Sequence, residues 1–448
     1  MTGSATPQKQ EPQLLRRVTL PQLALYGLGS MLGAGIYGLI GKAAGIMGNA
    51  VWLAFLVSMV AALLTGLSYA SLGSRYPRAG GAAYVTHRAY GMPLLTYLVG
   101  LTVMASGLTS VATQSRVVAE TLQRLPMFGD VPVLALALGF LLLVAGIVYR
   151  GIKESMWANI LCTLLEAGGL LVIIAVGIPY WGSVDLLEVP VESGGIDAAL
   201  LLQGAVLTFF SFIGFEDTFN VAEEVKDPKR ALPWGIVIAM VAATLIYLAV
   251  AVTAVSVVPW QELAEASGPL VEVAHRAAPW IPGLVFIIIT VFAVANTALL
   301  NYIMASRLAY GMARLGMLPR LLGRVHAGRH TPHMAILVLL VIVVGLMLAG
   351  DIAQLASATV LLLLAVFTIV NLALLILQRR PSEARGGFEV PSFVPLGGAL
   401  VCALLFFNRL FTGDWRAPAL AVGMLAFIIL LYLVMRPKAV DQIDNVET

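Results

Sequence analysis

Twelve apolar runs, each near the roughly 20 residues that a helix needs to cross a lipid bilayer, follow one another along this chain. They fall at 21–46, 48–74, 92–124, 132–149, 155–177, 198–225, 233–256, 281–309, 333–349, 352–377, 392–410 and 416–435. The chain is 60% hydrophobic and 11% charged over 448 residues. A soluble domain uses about 25% charged residues and cannot bury so much apolar surface in one core. Runs that stay apolar over a whole window also argue against a β-barrel, whose strands alternate over about ten residues. The pattern predicts an all-α polytopic membrane protein with 12 transmembrane helices.

The first run is unusual. Between Tyr26 and Gly48 it reads YGLGSMLGAGIYGLIGKAAGIMG, apolar enough to span yet interrupted at its centre by Gly33-Ala34-Gly35. Glycine in a helix interior is less favourable than alanine by about 1 kcal/mol. A cluster at mid-depth therefore reads as a place where the helix opens, which a membrane tolerates only where the backbone is buried in protein or lines a wet cavity. The freed N–H groups from Ile36 onward could then receive an anion such as a carboxylate. The alternative is an intact helix that uses Gly29 and Gly33 for close packing. The sixth run, 198–225, is also punctured, at Ile213-Gly214-Phe215-Glu216-Asp217. Two interrupted helices, each first in a five-helix unit, fit a 5+5 inverted repeat with a midplane site. The expected division is an N-terminal tail at 1–20 and a ten-helix core at 21–377, with repeats at about 21–177 and 198–377. A linker at 378–391, a peripheral helix pair at 392–435 and a tail at 436–448 complete it.

Twenty-one of the 27 Lys and Arg residues fall on one side if both chain ends share the cytoplasm, the positive-inside pattern. No cleavable signal is apparent at the start, so the first span is expected to serve as the insertion signal. A net charge of +3, spread over short loops, does not point to nucleic acid. Cys162 and Cys402 both lie inside apolar runs and show neither a disulfide pattern nor metal-ligand spacing. The outer segment 258–281 is too polar to span and reads as one or two short helices broken at Gly268-Pro269, either a lid or an ordinary surface loop.

Four local patterns carry a family resemblance. They are Gly29-Ser-Met-Leu-Gly-Ala-Gly-Ile-Tyr37, Leu67-Ser-Tyr-Ala-Ser-Leu-Gly-Ser-Arg-Tyr-Pro-Arg-Ala-Gly-Gly81, Gly151-Ile-Lys-Glu-Ser155, and Phe212-Ile-Gly-Phe-Glu-Asp217 followed by Ala222-Glu-Glu-Val-Lys-Asp-Pro-Lys-Arg230. In this order and spacing the chain resembles the amino acid–polyamine–organocation transporters, in their bacterial amino-acid permease and cationic-amino-acid-transporter-like branch. The resemblance implies a LeuT-like fold and secondary transport of amino acids or amines by alternating access, in a bacterial inner membrane. Its substrate carboxylate would sit against Ser30, Gly33, Ala34 and Gly35, and its ammonium against carbonyls of Phe212, Ile213 and Phe215, with the Phe215 ring covering it. A neutral or broad range of L-amino acids is expected, with cationic amino acids or polyamines as the alternative. The sequence departs from the family pattern at Ser71, where glutamate is usual, and at Leu315, where aspartate is common.

Ionisable groups within spans are functional candidates by default. Glu166, central in the fifth run, stands where proton-coupled relatives often have lysine. It is a candidate proton carrier, or else a hydrogen-bonded acid tying the fifth span to the first. Glu216 and Asp217 could gate the inner route or bind a cationic substrate, or could simply cap the short half-helix that follows. Arg116 and Glu120 are spaced as an i,i+4 pair. Sodium coupling would need oxygens converging between the first and eighth spans, where Ser306 is one hydroxyl; protons are the expected coupling ion, with no other cofactor. Expected partners are a small-molecule substrate and lipid, with monomer and homodimer equally open. A channel, a membrane enzyme and a sensor are the rival classes. No filter motif, no single-sided histidine cluster and no nucleotide loop supports them.

Overall fold

The computed structural model describes residues 13–437 except 124, 192–193, 267, 349–351, 384 and 413–414, and omits the side chains of some helical residues, Ala34 among them. Most of the two expected tails lies outside the described residues. The chain is helical throughout. It begins with α1 (Leu20–Leu32), α2 (Ala34–Met47), α3 (Val51–Arg75), α4 (Gly81–Tyr90), α5 (Pro93–Gln123), α6 (Val133–Arg150) and α7 (Ile152–Gly177). It continues with α8 (Ala198–Phe209), α9 (Asp217–Asn220), α10 (Pro228–Val257), α11 (Trp260–Glu265), α12 (Pro269–Ala277) and α13 (Gly283–Arg314). The last four are α14 (His333–Leu348), α15 (Ile352–Arg379), α16 (Phe393–Thr412) and α17 (Arg416–Met435).

Helix is the form these apolar runs must take, because it satisfies every backbone donor within the segment where no water can. Among the described residues ten stretches are long and apolar enough to span a membrane, and His333–Leu348 is a shorter apolar helix. Leu142, Leu161, Leu164, Val341, Phe411 and Val434 all stand exposed on the outside, as expected of a lipid-facing belt. Polar residues are turned inward instead: Asn159, Thr163, Asn296, Ser58 and Asn371 are buried.

The elements that matter for function are central. Helix α1 packs between α7 and α10, α3 lies against α10, and α5 against α13. The segment 258–281 forms the two short helices α11 and α12, and Leu263 of α11 is fully buried. That pair seats on α2, where a Cβ at Gly45 would meet the Ala264 Cβ at 3.0 Å. The connection before α16 is pinned beneath α3 and α4 by Arg75–Glu389 at 2.6 Å and Arg88–Glu383 at 3.1 Å.

Helix α13 crosses the turn before α4 at a glycine. A Cβ at Gly311 would lie 2.6 Å from the Ala79 carbonyl oxygen, and backbone cannot yield as a flexible side chain does. Gly311→Ala should therefore destabilise the protein by about 1–3 kcal/mol, read as a lower melting temperature in detergent.

Candidate functional site

Both interrupted spans are open in the structure. Helix α1 stops at Leu32 and α2 restarts at Ala34, with Gly33 at φ −52 and ψ −147 between them. After α8 the chain makes one 3₁₀ turn at Phe210–Phe212, straightens at Ile213 (ψ 136) and resumes as α9 from Asp217. Gly214 sits at φ +129, and a Cβ there would lie 2.7 Å from both the carbonyl oxygen and the hydroxyl of Ser30. Only glycine permits that conformation and that contact together. Where the helices stop, the first N–H groups of α2 have no partner within their own helix.

The two breaks are bound to each other. The Ser30 hydroxyl donates to Asp217 Oδ2 at 2.7 Å, and the Gly214 N–H donates to Glu216 Oε2 at 2.8 Å. From α10, the Tyr247 hydroxyl reaches the carbonyl oxygens of Met31, in the last turn of α1, and Ser211, at 2.8 Å. Tyr247 is fully buried, with Phe212 packed edge-on to its ring at 5.1 Å. One side chain from a third helix thus spans carbonyls on both sides of the opening.

Between the breaks lies a cavity of about 220 Å³. Ser30, Gly33, Gly35, Ile213, Gly214, Glu216 and Asp217 line it from the two breaks, with Thr297 of α13 set against Gly33; Thr109, Thr113 and Gln114 of α5, Asn301 of α13 and Thr359 of α15 also line it. Its lining runs from mid-depth toward the ends of α5 and α15 that lie away from the N-terminal face.

Not every expected residue faces this space. Ile36, Phe212 and Phe215 are fully buried and do not line it. Phe215 instead stacks on Phe367 at 5.6 Å and meets Tyr69 edge-on, while its carbonyl accepts the Thr218 hydroxyl at 2.7 Å. The extended backbone at Ile213 and the positive φ at Gly214 rotate residue 215 toward α3 and α15. The aromatic on the cavity is Phe210, which is 38% exposed. Ala34 begins α2, and its side chain is outside the described set.

Glu166 does not line the cavity. It is fully buried on α7, and among the described residues none hydrogen-bonds to either carboxyl oxygen. One and two turns earlier on α7, Asn159 donates to Thr163 (3.1 Å) and to Asn296 (3.2 Å), Asn296 donates to Thr163 (2.9 Å), and Thr163 reaches the Leu25 carbonyl of α1 at 3.4 Å. Arg116 donates to the Met347 carbonyl, and among the described residues no ion pair joins it to Glu120. Among the described residues no group of three or more His, Cys, Asp or Glu is placed to hold a metal ion.

An amino acid permease profile matches residues 18–435, which include both breaks and all the cavity residues. The chain belongs to the amino acid permease family. It is similar to a methylthioribose transporter of Bacillus subtilis, 28% identical over 94% of this chain and 95% of that one. A branched-chain amino acid permease of the same organism is 26% identical over 88% of each chain. Cationic amino acid transporter 4 of Mus musculus is 30% identical over 82% of this chain and 60% of its own length.

In this permease a set of contacts, here called the latch, ties the segment before α1 to α13 and to the chain after the second break. Glu224 and Arg307, both fully buried, form a two-point ion pair at 2.9 and 3.1 Å. The Glu224 carbonyl accepts from the Arg17 and Val18 N–H groups, and Lys226 N–H donates to the Val18 carbonyl at 2.8 Å, pairing Val18 with Val225 in parallel. The carboxylate of Glu223 accepts the Ala79 N–H at 3.0 Å. Ser306 belongs to this latch: its hydroxyl donates to the Ile303 carbonyl and accepts from Arg307. Removing one member of such a buried pair costs about 3–5 kcal/mol, because the other charge stays buried alone.

The Tyr247 hydroxyl had no obvious sequence signal beyond a tyrosine inside an apolar run. Tyr247→Phe keeps the ring and removes the single O–H that the Met31 and Ser211 carbonyls share, worth about 1–3 kcal/mol. It should weaken the apparent affinity for substrate about tenfold, measured as KM in a proteoliposome uptake assay.

Proposed function

We propose that the chain is a proton-coupled importer of neutral or broad-range L-amino acids that works by alternating access. The single observation carrying this is the pair of helix breaks facing one cavity. On one side is the N-terminus of α2, whose first N–H groups have no partner within their own helix, suited to a carboxylate; on the other are Ile213 and Gly214 of the second break with Asp217, suited to an ammonium. Ser30, Gly33, Ala34, Gly35 and Ile213 are the proposed substrate-binding positions, with Phe210 in the covering role expected of Phe215. Side-chain selectivity would fall to the Thr109, Thr113 and Gln114 wall.

In this reading the twelve passes make a LeuT-like arrangement, with α1–α7 and α8–α15 as inverted repeats and α16–α17 as a peripheral pair. The positive-inside count puts both chain ends in the cytoplasm of a bacterial inner membrane. The latch then closes the cytoplasmic side and the cavity belongs to an outward-facing state. Glu216 and Asp217 are gating candidates because they stand between the cavity and the latch segment. The relatives include a branched-chain amino acid permease and a cationic amino acid transporter. The second choice, a cationic amino acid or polyamine exchanger, draws on the same two carboxylates lining the cavity. It ranks behind because both already accept hydrogen bonds within the protein.

Glu166, a buried acid beside the polar Asn159–Thr163–Asn296 group, is the proposed proton carrier. A radiolabelled amino-acid panel in proteoliposomes, with and without an inward proton gradient, tests the whole reading. Wild type should accumulate substrate with the gradient. Glu166→Gln should lose that drive and keep counterflow exchange; unchanged pH dependence in the variant would reject the role.

A further inference from the structure

A second cavity, of about 140 Å³, opens on the latch face and shares no residue with the substrate cavity. Its lining includes Arg17, Arg150, Lys153, Glu154, Arg329 and His330. The four Lys and Arg residues come from separate parts of the chain. They lie on the segment before α1, at the end of α6, in the first turn of α7, and on the connection between α13 and α14. One carboxylate, Glu154, stands among them. Among the described residues none of the four is in a salt bridge.

Cations gathered in one concavity repel each other and focus a positive potential there. Two further features favour an anion. The N-terminus of α7, a 26-residue helix, opens onto the cavity and adds its positive end. The Glu154 carboxylate shares that terminus: its Oε2 lies 2.7 Å from where a Cβ at Gly151, at φ +155, would stand. Arg329 is also already oriented, its guanidinium 4.6 Å from the centre of the Tyr149 ring.

The surroundings show how such an anion could arrive. Down the outer flank of α7, Trp157, Leu161 and Leu164 are 61%, 54% and 57% exposed. An exposed tryptophan near the end of a spanning helix marks the headgroup level of the bilayer. The cavity therefore lies at the headgroup level, beside a strip of surface fit for acyl chains.

We propose that this cavity binds a phosphate group, supplied either by an anionic phospholipid headgroup or by a soluble phosphate. Arg17 is the link to the latch, since its own N–H donates to the Glu224 carbonyl at 2.8 Å. His330, on the opposite wall, contacts the Gln13 carbonyl through Nδ1 at 2.8 Å. A phosphate bridging Arg17 to Arg150, Lys153 and Arg329 would tie the segment before α1 to two loops and steady the closed face. That effect on transport rests on the alternating-access reading; the binding does not.

The full-length protein is placed in nanodiscs of phosphatidylcholine alone or with added phosphatidylglycerol. Protein in the phosphatidylcholine discs is separately titrated with inorganic phosphate. Melting is followed by tryptophan fluorescence, and bound phosphatidylglycerol is counted by native mass spectrometry. Wild type should melt higher in the presence of the anion, and Arg150→Gln/Lys153→Gln should bind it about tenfold or more weakly. Lys42→Gln, on the far half of α2, should behave as wild type. A rise with phosphatidylglycerol alone assigns the site to a lipid headgroup, and a rise with inorganic phosphate as well assigns it to phosphate as such. No rise with either, or an equal rise in wild type and the double variant with whichever anion acts, overturns the proposal whether or not amino-acid uptake is seen.

Discussion

Two membrane helices can end halfway through the protein only because each completes the other. Backbone left unpaired at mid-depth is costly in a bilayer, and here α1 and α8 both stop there. The Ser30–Asp217 hydrogen bond, the contact of Gly214 on Ser30 and the bridging Tyr247 hydroxyl convert two isolated defects into one shared opening. The first N–H groups of α2, which have no partner within their own helix, are left at the edge of this opening. Everything around the opening serves to hold it: α10 brings Tyr247, α13 brings Thr297 against Gly33, and α5 supplies the facing wall.

A consequence is that the two ends of the molecule are unequal. Toward the N-terminal face, the Glu224–Arg307 pair and the Val18–Val225 pairing join α13 to the segments flanking both broken helices. That closure uses buried charge, which is weak as a source of stability but strongly penalised when only half is removed. Such a contact suits a closure that must be either made or fully undone. On the other side the cavity is walled by hydroxyl, amide and glycine positions among apolar ones such as Val103, Met304 and Leu363, with no ion pair across it among the described residues. An amino acid permease that alternates its access would need an asymmetry of this kind.

The apolar runs and the glycine clusters were readable because both are local. Runs of about 20 apolar residues leave few alternatives to a spanning helix, and Gly33, Gly35 and Gly214 mark places where a Cβ would be crowded. The short pair α11 and α12 was readable for the same reason, from Gly268-Pro269. What could not be read depends on distance or rotation. Glu224 and Arg307 are 83 residues apart, and nothing near either announces the other. Tyr247 looks like any aromatic in a span until α10 is laid across both breaks. Phe215 was expected over the cavity, but the turn at Ile213 and Gly214 rotates its ring onto Phe367 and brings Phe210 to the opening. Residue order along an irregular segment does not settle which way each side chain turns.

Competition binding with trimmed ligands tests the shared opening most directly. Once a transported amino acid is known, its decarboxylated amine and its N-acetyl derivative are titrated against it on the purified permease. If the α2 N-terminus holds the carboxylate and the 210–217 break holds the ammonium, each analogue should compete at least about tenfold less well than the intact amino acid, a loss of about 1.4 kcal/mol or more. If both compete as well as the parent, the backbone groups exposed by the two breaks do not bind the substrate.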